Sequence, residues 1–157
     1  MQHAESFRDL VVYQKTRAVA RRFFALSKQF PKEERYSLTD QGRRSSRSVG
    51  AQIAEAWAKR RYEKHFVSKL TDADGEQQET QHWIETALDC GYLTEQTRNQ
   101  LIDEFNRIGR MLQSMIDKAD QFCGQPARFV REETAEYFMT DNRSPITDNL
   151  VVTNHES

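Results

Sequence analysis

Apolar and small residues recur at alternating steps of four and three in four stretches of the chain, the spacing of one buried helix face. In the first, Val12, Thr16, Val19, Phe23, Leu26 and Phe30 fall on one side. Pro31 closes it, because proline lacks a backbone N–H and restricts the residue before it. The second stripe, Leu38, Gly42, Ser45, Val49, Ile53 and Ala56, is made mostly of small residues, so a neighbouring helix can approach closely. The third, Phe66, Leu70, Ala73, Gln77, Thr80, Ile84 and Ala87, is polar in its middle and predicts a hydrogen-bonded layer, since buried amides and hydroxyls left unpaired are costly. The fourth is the most regular: Leu101, Phe105, Ile108, Leu112, Met115, Ala119 and Phe122.

The second and third stripes are joined by "AKRRYEKH", which holds neither Gly nor Pro. A single helix through both would be about 80 Å long, far beyond globular lengths, so a break is placed at Arg61 to Glu63. Gly91 suits the left-handed position after a helix, and Thr94 suits the start of the next. The result is an all-α, antiparallel, up-down-up-down four-helix bundle over residues 1–123, its helices roughly 20 to 28 residues long. Residues 124–157, with "GQPARF" and "TDNRSPITDN", keep no sustained period and read as a C-terminal tail. A short helix around Arg131 to Phe138 and docking on a neighbouring subunit through Phe129, Tyr137 and Phe138 are the features expected of it.

Composition narrows the function classes. The 157 residues are 37% hydrophobic and 30% charged, with a mean hydropathy of −0.86. That describes one water-exposed helical domain with an extension rather than several domains. Neither a signal-peptide core nor a membrane span is legible, which predicts a cytoplasmic protein without membrane association. Cys90 and Cys123 are too few for a disulfide framework or a zinc site.

"FRDLVVYQKT", "FPKEERYSLTDQGRRSSRSVGAQIAEAW", "FVSKLTDADGEQQET", "LDCGYL" and "IGRMLQSMI" occur in this order between Phe7 and Phe122. Together they resemble the bacterial four-helix-bundle proteins named after the 23S rRNA intervening sequence, a family also described as ribosomal-protein-like. The chain is similar as well to the accessory protein of diversity-generating retroelements. It departs from the family pattern at Gly50, Gln52, Ala56 and Gly75-Glu76. The resemblance implies a homopentameric ring of four-helix bundles, binding nucleic acid or a protein partner, and no known catalytic set.

The charge map bears on that implication independently. Residues 1–32 carry seven basic and two acidic side chains, and residues 33–71 carry nine and five. Residues 72–104 carry nine acidic side chains against Arg98 alone. Such asymmetry can steer an anionic partner, and it can equally let the basic part of one subunit meet the acidic part of its neighbour. Solvated faces and subunit contacts are the first reading of these charges. The second is RNA or DNA binding by Arg17 and Arg21 at i, i+4, by Arg43, Arg44 and Arg47, and by Lys59, Arg60 and Arg61 at the proposed turn. No exposed aromatic stripe accompanies them, which speaks against a single-strand stacking platform.

Enzymatic readings find less support. Glu79 and His82 form one Glu-x-x-His pair, the spacing of carboxylate di-iron sites, but such sites need a second pair and two further glutamates. Ser45, Ser46 and Ser48 have no neighbouring His, and no glycine-rich phosphate loop is present. The sequence therefore predicts a non-enzyme without metal or cofactor. Its two functional alternatives are an oligomeric nucleic-acid-binding bundle and an oligomeric scaffold for a protein partner.

Overall fold

A computed structural model describes residues 3–124, and the expected tail with its short helix lies outside the described residues apart from Gly124. The described chain is all-α. Its helices are α1 (Val11–Ser27), α2 (Asp40–Ala58), α3 (Glu63–Asp89), α4 (Glu95–Asp117) and the short α5 (Ala119–Phe122). None is long and apolar enough to cross a membrane.

The four stripes become one core. Val12, Val19, Phe23, Leu38, Val49, Ile53, Phe66, Leu70, Ile84, Leu101, Phe105 and Leu112 are each at most 2% exposed. Helix α1 packs on α2 and α4, and α3 packs on α2 and α4, forming a helical bundle. Contacts run in opposite chain order between neighbours: Phe23 meets Gly42 while Tyr13 meets Gly50, and Ser45 meets Thr80 while Gln52 meets Lys69. The Arg98–Glu85 and Gln81–Asn106 contacts give α3 and α4 the same antiparallel sense.

The polar middle of α3 behaves as its residue types require. The Thr80 hydroxyl lies 2.8 Å from Ser45 Oγ, which in turn donates to the Gly42 carbonyl at 3.3 Å. Gln77 donates to Asp74 Oδ1 at 2.9 Å and accepts from Gln81 Nε2 at 2.7 Å. These pairings offset the cost of burying the amide and the hydroxyls.

The element boundaries differ from the expectation in three places. In α1 the buried position of the last turn is Ser27 rather than Leu26, because the Ser27 hydroxyl donates to the Phe24 carbonyl and closes the helix end. Helices α1 and α2, with 17 and 19 residues, are shorter than the expected 20 to 28. The chain also enters α2 through a 3-10 turn (Lys32–Glu34) and a π-helical turn (Arg35–Thr39) that buries Leu38.

The break between α2 and α3 falls at residues 59–62, slightly earlier than expected, and a side chain explains it. Arg60 folds back, donating from Nη1 to the Trp57 carbonyl at 3.0 Å with its guanidinium 3.5 Å from the indole centroid. The Trp57 carbonyl, which also accepts from the Arg60 backbone N–H at 3.3 Å, is thereby doubly hydrogen-bonded at the helix end without Gly or Pro. Gly91 adopts φ of 78°, and Thr94 accepts from the Thr97 N–H, as the sequence predicts.

Gly42 is the tightest point of the bundle. A Cβ placed there would lie 2.3 Å from Phe23 Cζ and 2.6 Å from Cε1, and Phe23 is fully buried. Gly42→Ala should therefore lower the stability of the fold by about 1–3 kcal/mol through overpacking, despite alanine's better helix propensity. Urea unfolding would show a lower midpoint at unchanged slope; an equal or raised midpoint would contradict the close packing of α1 on α2.

Candidate functional site

The buried face of α2 is so slight that α1 settles against its backbone, and a cleft of about 440 Å³ opens along their outer seam. Its floor and α2 wall are Ser46, Gly50, Ala51 and Ala54, all small. From α1 come Tyr13, Arg17, Ala20, Arg21 and Phe24, spaced so that one helix stripe supplies them. Arg47 closes the α2 rim, and Phe7 closes one end. No Asp or Glu lines the cleft.

Local structure fixes several of these groups. Ser6 accepts from the Arg8 N–H while Asp9 accepts from the Ser6 N–H, a capping box that holds the turn Phe7–Asp9. Phe7 is thereby set edge-on against Tyr13, with centroids 4.9 Å apart and planes at 84°. Arg43 donates from Nε to Ser27 Oγ at 2.8 Å, which leaves its guanidinium 4.6 Å from the Phe24 ring centroid. Arg47 stands 5.2 Å from the same centroid. With Lys28 Nζ 4.9 Å from that centroid as well, Phe24 gathers three cations.

The eight basic residues singled out in the sequence do not form one surface. Arg17, Arg21 and Arg47 line the cleft, and Arg43 joins them through Phe24. Arg44, one residue and so about 100° further round the helix, turns to α3 and pairs with Glu79 at 2.6 Å and Glu76 at 3.5 Å. Arg60 is absorbed into the α2 terminus, while Lys59 and Arg61 stand exposed at the same connection. The Glu79–His82 pair is also divided. Glu79 engages Arg44, whereas His82 is exposed with its ring 4.7 Å from that of Trp83. Among the described residues no three His, Cys, Asp or Glu side chains gather as a metal-binding group. Ser45 and Ser46 spend their hydroxyls on the Gly42 and Arg43 carbonyls.

The sequence reading missed the rings. Phe7, Tyr13 and Phe24 are half-buried, and folding gathers all three at the arginines. A signal was present: Tyr13, Arg17, Arg21 and Phe24 follow one another at helical steps of 4, 4 and 3, a second stripe beside the buried one. Arg43, Arg47, Ala51 and Ala54 repeat that spacing on α2.

Comparison with known proteins places this geometry in context. The family model described as "23S rRNA-intervening sequence protein" matches residues 8–114, which include every cleft residue except Phe7. A 1.70 Å crystal structure of a protein with unknown function from the S23 ribosomal protein family, from Bacteroides thetaiotaomicron, is similar at a TM-score of 0.62 and 30% identity. The similarity covers 68% of this chain and 96% of that one. No curated protein matches.

The Arg44 cluster has a pH dependence of its own. Burial pushes the Glu76 carboxyl above its ordinary value, and the adjacent Glu79 adds to that against the opposing pull of Arg44. Burial acts on Glu79 in the same direction, but the hydrogen bond and charge of Arg44 outweigh it and hold Glu79 below the ordinary value. Ionised Glu79 therefore favours the fold above its unfolded-state value, and this contribution is lost as pH falls through the lowered one. Glu76, raised, has the opposite sense: its contribution is present at low pH and is lost as pH rises through its folded-state value. Arg44→Ala leaves the two carboxylates facing each other without a cation. The expected loss is about 0.5–1 kcal/mol at pH 7, given the exposure of the pair, and it should fade as pH falls through the lowered Glu79 value and both carboxyls protonate. Unfolding midpoints at pH 7 and down through the acid range check this; a loss independent of pH would contradict it.

Proposed function

The chain belongs to the 23S rRNA-intervening sequence protein family, and from that premise we propose that it is a non-enzymatic oligomeric bundle that binds RNA or DNA through the cleft between α1 and α2. The observation that carries this reading is the gathering of unpaired arginines at one cleft. Arg22, Arg44, Lys69 and Arg98 each ion-pair with a carboxylate. Arg17, Arg21, Arg43 and Arg47 pair with no carboxylate among the described residues; Arg17, Arg21 and Arg47 line one cleft without acidic lining, and Arg43 stands beside it over Phe24. An arginine already held by a carboxylate must give up that partner to take a phosphate. An unpaired one exchanges only water and counterions, and releasing the counterions of the nucleic acid drives association.

The resemblance to the intervening-sequence family and to the retroelement accessory protein supports assembly as a homopentameric ring of antiparallel four-helix bundles, and we propose the cytoplasm as its location. In such a ring each subunit presents its own cleft, and several weak phosphate contacts combine into one strong attachment. The competing reading is a scaffold for a protein partner whose charged faces form subunit contacts. The small floor of Ala20, Gly50, Ala51 and Ala54 favours it, since it would also admit a neighbouring helix.

A triple variant, Arg17→Gln, Arg21→Gln and Arg47→Gln, separates the two. Binding of a labelled nucleic acid, followed across a salt series, should weaken for the variant. The slope of log K against log salt should flatten by about 2 to 3, at roughly 0.7–0.9 per lost phosphate contact. The mass of the oligomer by light scattering should stay the same, and Arg44→Gln should leave the slope unchanged. Absence of binding by the unaltered protein at low salt, with dissociation of the triple variant, would leave the scaffold reading in possession.

A further inference from the structure

We infer that the cleft receives an unpaired base, so that the protein selects single strands over duplex. This rests on the reading that the chain binds nucleic acid and names the form of nucleic acid it takes. A surface that reads phosphates alone needs only convergent positive charge on a face. Here the unpaired arginines instead surround an apolar depression of about 440 Å³, inside the ~300–1,000 Å³ range of sites that enclose a small ligand. Three aromatic rings line it. A base in a duplex is stacked and paired, with its faces hidden, whereas an unpaired base offers a planar apolar surface to rings and guanidinium planes.

Two details fix the walls of the cleft around such an occupant. At Gly50 a Cβ would stand 3.3 Å from Thr16 Oγ1 and at contact distance, 3.5 Å, from Tyr13 Cε2, so the missing side chain lets α1 and the Tyr13 ring lie close on α2. Arg43 is tied to Ser27 and Phe24, and Arg47 to Phe24, so their charge is held at the rim instead of collapsing onto the floor. A planar group below and cations above match a nucleotide, whose base is apolar on its faces and whose phosphate is anionic. The occupant is therefore an unpaired nucleotide within a strand.

The test compares a single-stranded oligonucleotide with a duplex of the same length by fluorescence anisotropy at fixed salt, using the full chain. The single strand should bind more tightly. Tyr13→Ala should weaken single-strand binding by about 5- to 150-fold, the range for losing one stacked base, while duplex binding changes by less than about twofold. Because Tyr13 also packs against α2 at Gly50, a second variant, Ala51→Leu, keeps every ring and arginine. Leucine is a good helix former at this exposed position, and it fills the cleft from α2, so it should erase the single-strand preference while thermal unfolding and oligomer mass stay unchanged.

Equal binding of single strand and duplex, or equal loss on both in either variant, would overturn the inference and leave phosphate reading intact. Displacement of the strand by a nucleoside monophosphate at the same nucleotide concentration would overturn it in favour of a free-nucleotide site. A change of oligomer mass in Ala51→Leu would overturn it by making the cleft an interface between copies. No binding of either nucleic acid by the unaltered protein would remove the functional reading itself.

Discussion

The lack of side-chain bulk on the inner face of α2 is the constraint on which the rest of this structure depends. Gly42, Ser45, Ser46, Val49 and Gly50 are buried there, and none projects far from the helix. Helix α1 can therefore bring the Phe23 ring against the backbone at Gly42, while α3 brings the Thr80 hydroxyl to Ser45. Dispersion falls off steeply with distance, so approach this close converts small residues into dense contact. The polar layer of α3 follows from the same constraint, because hydroxyls and amides can be paired across a helix interface only when the backbones lie near one another.

A helix with small residues inside must place its large polar ones outside, and the angular step of the helix decides where each goes. Arg43 and Arg47, four residues apart, share the side that faces α1, and Arg44 takes the side that faces α3. Helix α3 presents carboxylates on that side, so Arg44 finds Glu76 and Glu79 and is neutralised. Helix α1 supplies arginines and rings, so Arg43 and Arg47 find Phe24 and keep their charge available. The same basic segment thus yields a structural ion pair on one flank and unpaired cations on the other. The family match spans this arrangement nearly entirely, and the similar Bacteroides thetaiotaomicron structure agrees with it at the level of the fold.

Trp57 and Arg60 show how far side chains alone can set topology. With no Gly or Pro in the connection, the turn from α2 to α3 is held by the Arg60 guanidinium lying over the indole and, together with the Arg60 backbone N–H, donating to the Trp57 carbonyl. The backbone N–H of Gly124 donates to the Arg60 carbonyl at 3.1 Å, so the end of the described chain is tied to the same turn.

By itself the sequence determined the helical class, the four buried stripes, the Gly91 and Thr94 boundaries and the polar layer at Gln77 and Thr80. These depend on helical period and on the cost of burying unpaired polar groups, both of which act along a single segment. It also carried the family, through motifs spread from Phe7 to Phe122. What it could not separate were the fates of its arginines. Whether Arg43, Arg44 or Arg47 is paired depends on what the neighbouring helix presents at the same height, and that is a relation between segments distant in the chain. The cleft with its three rings likewise exists only once α1 has settled on α2, because Phe7, Tyr13 and Phe24 share a surface with Arg47 through packing and not through spacing.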